Sequence, residues 1–232
     1  MCDRYSITVS ADKLIKSFGL KETGDFEPSF NAGPTQELPV LLSSQPDAIQ
    51  YMTWGLISKW SNNKSISPKL FNLPVQQAFE KKMYQRGLKE NRCVILADGF
   101  YLWKQIGKAK RVPYFFFLSD QKPFGIAALW ESYEDMDGNP TNTFIMLTTP
   151  ATAQVAAYQE DMPLLLSGDA LKQWLDHETD ASEHSGLFTK SIADKFKFHP
   201  VSPLISNLDN NHEGLIKATL PSDQHGNYTL FN

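Results

Sequence analysis

The chain has 232 residues, of which 41% are hydrophobic, 21% charged and 12% aromatic; these are the proportions of a folded globular protein, not of a disordered, fibrous or membrane-embedded one. Its net charge is −4, from 22 basic against 26 acidic residues, and only four of the cations are arginines, so nucleic acid binding would rest on a local, Lys-rich patch and not on a global positive field. Two cysteines, no apolar run of signal-peptide length among the first residues and a longest apolar stretch of only Val112 to Leu118 predict a reducing, cytoplasmic home without membrane insertion.

In chain order, Ser10 caps a short helix that runs through Phe18 and is closed by Gly19. Leu38 to Ser43 and Ile49 to Leu56 read as strands. Pro74 suits the first position of a helix that carries Val75, Ala78, Phe79 and Met83 on one face and stops at Gly87. Five strand-like runs follow, at Cys93 to Ala97, Phe100 to Trp103, Val112 to Leu118, Phe124 to Trp130 and Thr143 to Thr148. Asp98-Gly99, Gly107 and Asp137-Gly138-Asn139-Pro140 break them. Ala151 to Tyr158 and Ala170 to His177 read as short helices around a strand at Pro163 to Leu166, and Lys190 to Phe196 as a further helix. No repeat or linker divides the chain, which predicts one domain over 1–232. Strands do not alternate with crossover helices, so the expected fold is α+β: a mostly antiparallel, barrel-like or strongly bent sheet with flanking helices.

Standard site patterns are missing. There is no dinucleotide glycine fingerprint, P-loop or nucleophile elbow. His212-Glu213 opens like a zinc-protease motif but meets Ile216 at the partner position, and neither cysteine has a neighbour at metal-ligand spacing, so no metal and no cofactor is expected. The segment Asp98 to Trp103 reads as a hairpin with a half-buried aromatic face. Lys104, Lys108, Lys110 and Arg111 are either phosphate contacts or a solvated hairpin tip. Glu178, Asp180 and Glu183 read as a solvated acidic stretch.

Cys2 has special chemistry. Removal of Met1 leaves an amine and a thiol on one residue, with ordinary pKa values of about 7.7–8.0 and about 8.5. The amine condenses with an aldehyde and the thiol closes a five-membered thiazolidine. With Met1 retained, only a reversible hemithioacetal is open to the thiol. The competing reading of Cys2 is a small buried hydrophobe.

Taken in order, several segments resemble the SOS response-associated peptidase family over nearly the whole length. They are Met1-Cys2-Asp3-Arg4-Tyr5, Phe30-Asn31-Ala32-Gly33-Pro34, Trp54 to Trp60, the Asn72 segment, Arg92 to Trp103, Ala128-Leu129-Trp130-Glu131, Met162 to Leu166 and His199-Pro200-Val201-Ser202. The resemblance implies autocatalytic loss of Met1 and a thiazolidine between Cys2 and the ring-opened sugar of an abasic site in single-stranded DNA. It implies that Asn72 orients the sugar while Arg4, Asn31, Pro34 and Trp60 hold a kinked strand, and it implies a monomer that needs no metal. For Pro34 and Trp60, burial in the core is the rival reading.

The chain also departs from the family pattern. Leu102 stands where the family has Glu, and Gln159 where it has His, which leaves Gln159 as a hydrogen-bonding DNA contact. Pro74 and Asp161 replace two family arginines, and Asp3 replaces a glycine. These changes predict slower crosslinking or impaired reversal and weaker phosphate attraction. The alternative they leave open is a catalytically degenerate module that binds DNA without covalent chemistry.

Overall fold

The computed structural model describes residues 2–56, 70–134, 139–179 and 196–229. Its centre is a closed barrel of five strands: β3 (Glu37–Leu42), β4 (Gln45–Trp54), β6 (Arg92–Ala97), β9 (Phe124–Glu134) and β10 (Pro140–Pro150). Neighbours pair in the order β10-β4-β3-β6-β9, and β9 returns to β10 through Glu131↔Thr143 and Leu129↔Ile145. All these pairings are antiparallel except β4 with β10, where Thr53↔Thr143 and Trp54↔Phe144 run parallel. Every residue of β6 is buried, as the apolar run Cys93 to Ala97 requires of a strand covered on both faces.

A second, wholly antiparallel sheet lies against the barrel, in the order β13 (Phe196–Pro200), β8 (Lys110–Leu118), β7 (Gly99–Ile106), β1 (Tyr5–Ile7), β2 (Ser29–Ala32). Apolar side chains of both layers form one core. Phe100 stacks on Phe116 at 5.3 Å between centroids, and Tyr5 meets Trp54 at 5.6 Å. The indole N–H groups of Trp54 and Trp174 donate to the carbonyls of Phe71 and Cys93 at 2.8 and 2.9 Å, so both rings are buried without an unmet donor.

The helix α1 (Ala11–Phe18) forms over the predicted span, with Ser10 at its N-cap position but no capping hydrogen bond from the Ser10 side chain. Asp12 lies in the first turn and Lys16 in the last, matching the helix dipole, and Gly19 takes the left-handed conformation at φ +71°. The helix expected from Pro74 to Gly87 is instead two: α2 (Val75–Glu80) and α3 (Lys82–Glu90), separated by extended backbone at Lys81. The chain re-aims there, so Met83 is 68% exposed instead of joining Ala78, and α3 runs on through Gly87 to Glu90. Two short helices follow as expected, α4 (Ala153–Ala156) and α5 (Gly168–Leu175), with strands β11 (Asp161–Pro163) and β12 (Leu165–Leu166) between them. Phe196, read as the end of a helix, begins β13, where pairing with Leu118 of β8 overrides local propensity; residues 190–195 of that expected helix lie outside the described residues, as does the break at Asp137-Gly138. No helix among the described residues is long and apolar enough to cross a membrane.

Two features of this frame position residues 2–4. Asp98, in the β6–β7 turn, accepts from the Ser6 hydroxyl at 2.5 Å, from the Thr8 amide and hydroxyl at 2.5 and 2.7 Å, and from the Val9 amide at 3.0 Å. At Gly99 a Cβ would come within 2.2 Å of the Phe115 ring, so only glycine lets β7 and β8 approach this closely. Together they hold β1 against β7 in the register Tyr5↔Phe100.

Candidate functional site

The register of β1 and β7 carries forward to the preceding residues: the Tyr101 amide donates to the Arg4 carbonyl at 3.0 Å. Cys2 therefore lies beside the first half of β7. Its thiol donates to the carbonyls of Arg4 at 3.4 Å and Tyr101 at 3.7 Å, and the residue is 1% exposed. Enclosure pushes the thiol up to about 12, with the negative charge of Asp3 adding to the rise and Arg4 opposing it.

A strand far away in sequence completes this corner. The three-residue β5 (Asn72–Pro74) lies parallel to β10, with Asn72 opposite Met146. The register delivers the Asn72 amide to the chain start, where Nδ2 donates to the Cys2 carbonyl at 2.7 Å. Asn72 is 7% exposed, and its Oδ1 is enclosed with no hydrogen-bond partner among the described residues. Pro74, in the place of a family arginine, ends β5 and leads directly into α2.

The next two residues form part of a cavity of about 490 Å³. Asp3 and Arg4 line one side, and Trp103, Lys108 and Arg111 of the β7–β8 hairpin another, while Gln159, Ser206 and Gln224 complete it. Cys2 is one residue behind this wall. Three cations and one carboxylate give the cavity a positive balance that suits a phosphate-bearing ligand.

Arg4 is anchored within the wall. Its Nη1 donates to the Asp3 carbonyl at 2.6 Å and lies 3.8 Å from the Asp3 carboxylate, and Nη2 reaches the Ser206 carbonyl at 3.5 Å. Gly33 makes room for it: a Cβ there would stand 2.5 Å from Leu208 and 3.2 Å from Arg4 Nη1. Asn31, on β2, is 1% exposed and its Nδ2 donates to the carbonyls of Asn207 and Asn210, both at 2.9 Å. It thus ties the C-terminal segment, including the 3-10 turn Pro203–Ser206, over the sheet and beside Arg4. Its Oδ1 is enclosed and without a partner among the described residues. Pro34 is buried in the turn after β2, followed by Thr35 at φ +72°.

Among the residues singled out in the sequence, Cys2 and Asn72 thus meet directly and the Arg4 carbonyl joins them, while Asn31 holds the segment that Arg4 also reaches; of these residues and Gln159, Arg4 and Gln159 line the cavity. Trp60 lies outside the described residues. Leu102 belongs to the apolar core and is fully buried. The basic hairpin divides: Lys108 and Arg111 line the cavity, whereas Lys110 pairs with Asp223 at 3.5 Å and Lys104 sits 5.7 Å from the Tyr158 ring centroid. Sequence reasoning did not single out Trp103, Ser206 or Gln224 as cavity residues. Gln224 joins because it accepts from the Arg111 amide at 2.7 Å and donates to the Ala109 carbonyl at 2.8 Å, a tertiary contact with no local sequence signal.

The profile of the SOS response associated peptidase (SRAP) family matches residues 1–208. The chain is 28% identical over 223 residues to the abasic site processing protein YoqW of Bacillus subtilis, covering 94% of this chain and 100% of that protein. It is 30% identical over 259 residues to the abasic site processing protein HMCES of Gallus gallus, covering 91% of this chain and 76% of that one. A crystal structure of a protein from Bacteroides thetaiotaomicron superimposes with a TM-score of 0.80 at 19% identity, over 94% of this chain and 100% of the other; that likeness concerns the fold.

Proposed function

Since the chain belongs to the SRAP family, whose profile matches residues 1–208 and whose members similar to it are named abasic site processing proteins, we propose that it captures abasic sites in single-stranded DNA through Cys2. Loss of Met1 frees the Cys2 amine. The ring-opened sugar presents an aldehyde, the amine condenses with it and the thiol closes the thiazolidine. Arg4, with Lys108 and Arg111, attracts the flanking phosphates.

The observation that carries this reading is the 2.7 Å hydrogen bond from Asn72 to the Cys2 carbonyl, made by an amide whose Oδ1 is enclosed with no partner among the described residues. An enclosed acceptor without a partner costs about 1–3 kcal/mol, and a sugar hydroxyl or the Cys2 amine would satisfy it. Asn72 would then fix the reacting residue with one end and hold the sugar or the amine with the other. The chain's own cations supply the electrostatics; no metal enters the reaction as proposed.

Intact-mass spectrometry tests it. Protein lacking Met1, incubated with a single-stranded oligonucleotide that carries one abasic site, gains the oligonucleotide mass less one water. Absence of that species, where a peptide with a free N-terminal cysteine forms it, rejects the proposal. Run in parallel, Gln159→His gains a titratable imidazole at the cavity and raises the crosslinking rate by about tenfold or more.

A second reading, noncovalent binding alone, draws on the enclosure of Cys2 and on the apolar surroundings of Leu102. It predicts salt-sensitive affinity for single strands with no adduct under any of these conditions.

A further inference from the structure

Asp3 supplies the only carboxylate among the described residues lining the cavity. Its Oδ1 is enclosed and has no hydrogen-bond partner among those residues, and its Oδ2 stands 3.8 Å from Arg4 Nη1. That nitrogen directs its 2.6 Å hydrogen bond to the Asp3 backbone carbonyl instead. The carboxyl group is therefore held in the wall by a loose ion pair and keeps hydrogen-bonding capacity to spare. The rest of the wall carries cations and neutral amides, and Leu102 lies buried in the core.

We propose that Asp3 is the proton carrier for thiazolidine formation at Cys2. The inference rests on the function proposed above. Attack of the Cys2 amine on the aldehyde gives a carbinolamine. The Asp3 carboxylic acid then protonates the departing hydroxyl, the C–O bond breaks, water leaves, and an iminium and the Asp3 carboxylate remain. The thiol sulfur next bonds to the iminium carbon while its proton passes to the Asp3 carboxylate. The C=N electron pair returns to nitrogen, and Asp3 is again protonated. The sum is aldehyde plus aminothiol to thiazolidine plus water.

The electrostatics suit both halves of the cycle. Burial raises the proton affinity of Asp3 above that of an ordinary aspartate, against the opposing pull of Arg4 and Arg111. The direction of that shift makes this half-exposed carboxylate a stronger base toward a thiol that enclosure keeps protonated. The charged groups facing it are Arg4, Arg111 and Lys108 in the cavity, and its own charge acts on the Cys2 thiol of the preceding residue.

The test is the pH dependence of single-turnover crosslinking to an abasic oligonucleotide, with loss of Met1 first verified by intact mass in each variant. Wild-type protein shows two inflections, a lower one from Asp3 and an upper one from the amine, with a plateau between. Asp3→Asn lowers the plateau rate about 10²-fold and loses the lower inflection, so that its rate climbs directly to the amine's pKa; Asp3→Glu restores the inflection and part of the rate. Asp3→Asn with the wild-type profile overturns the inference, whether its rate is unchanged or uniformly reduced. Wild-type protein that forms no adduct rejects the underlying function instead.

Discussion

Cys2→Ala and Cys2→Ser form no crosslink to an abasic oligonucleotide, while both keep their affinity for the single strand. An amine alone gives an imine that water reverses. Only a neighbouring sulfur converts it to a ring, and serine oxygen is too poor a nucleophile to do so. The thiol's environment sharpens the expectation. A thiol pushed up to about 12 by enclosure stays protonated at neutral pH, so direct thiolate attack on the aldehyde is slow. Imine formation must come first, with the thiol adding to the activated carbon. Protein that retains Met1 therefore behaves like the alanine variant, giving no hydrolysis-resistant product. The side chain is buried, so alanine also costs about 1 kcal/mol of stability, and thermal melts separate that cost from the lost chemistry. An adduct on Cys2→Ala that survives hydrolysis without borohydride would remove Cys2 from the mechanism, whereas one trapped only by borohydride is the imine of the variant's N-terminal amine.

How far the sequence disclosed this depends on whether a signal is local. The α1 helix is legible because Asp12, Lys16 and Gly19 act within its own turns. The strands β6, β8 and β9 are legible because their apolar runs are long and bounded by turn residues. β5 is not: three residues cannot show a period, and Asn72 is extended only because Met146 pairs with it from far along the chain. β13 fails for the same reason, since Phe196 owes its conformation to β8. In the candidate site, Cys2, Arg4 and Asn72 stand out through their order along the chain, but the bond between Asn72 and the Cys2 carbonyl is a tertiary fact. Lys104, Lys108 and Lys110 look equivalent in the sequence, and only the hairpin's path gives them different partners. Asp3 reads from sequence only as the replacement of a family glycine, and the fold places it in the cavity wall.

Arg92→Leu destabilises the protein by about 3–5 kcal/mol and lowers Tm by roughly 10 °C, without changing the crosslinking rate of the folded fraction. With so few arginines, each is a candidate phosphate ligand, yet this one is fully buried. Its Nε donates to the Trp174 carbonyl at 2.9 Å and Nη2 to the Asp176 carbonyl at 2.7 Å, while Nη1 donates to the Leu88 and Lys89 carbonyls at 2.6 and 3.2 Å. These acceptors lie at the C-terminal ends of α3 and α5, where carbonyls have no partner within their own helix and the dipole favours a cation. One planar guanidinium thus caps two helices and fastens both to β6. Leucine fills similar space but satisfies none of the carbonyls, and the cost of unmet polar groups in the core exceeds the gain from added apolar surface. Arg92→Lys recovers less than half of the loss, because an ammonium cannot reach both helix ends from one point. Arg92 is not among the residues lining the cavity, so crosslinking measured well below the variant's melting temperature stays within about twofold of wild type, the tolerance expected of a distant, independent site. A large drop in rate with full folding would mean that this side chain acts on the site, and chemical denaturation beside the adduct assay separates the two outcomes.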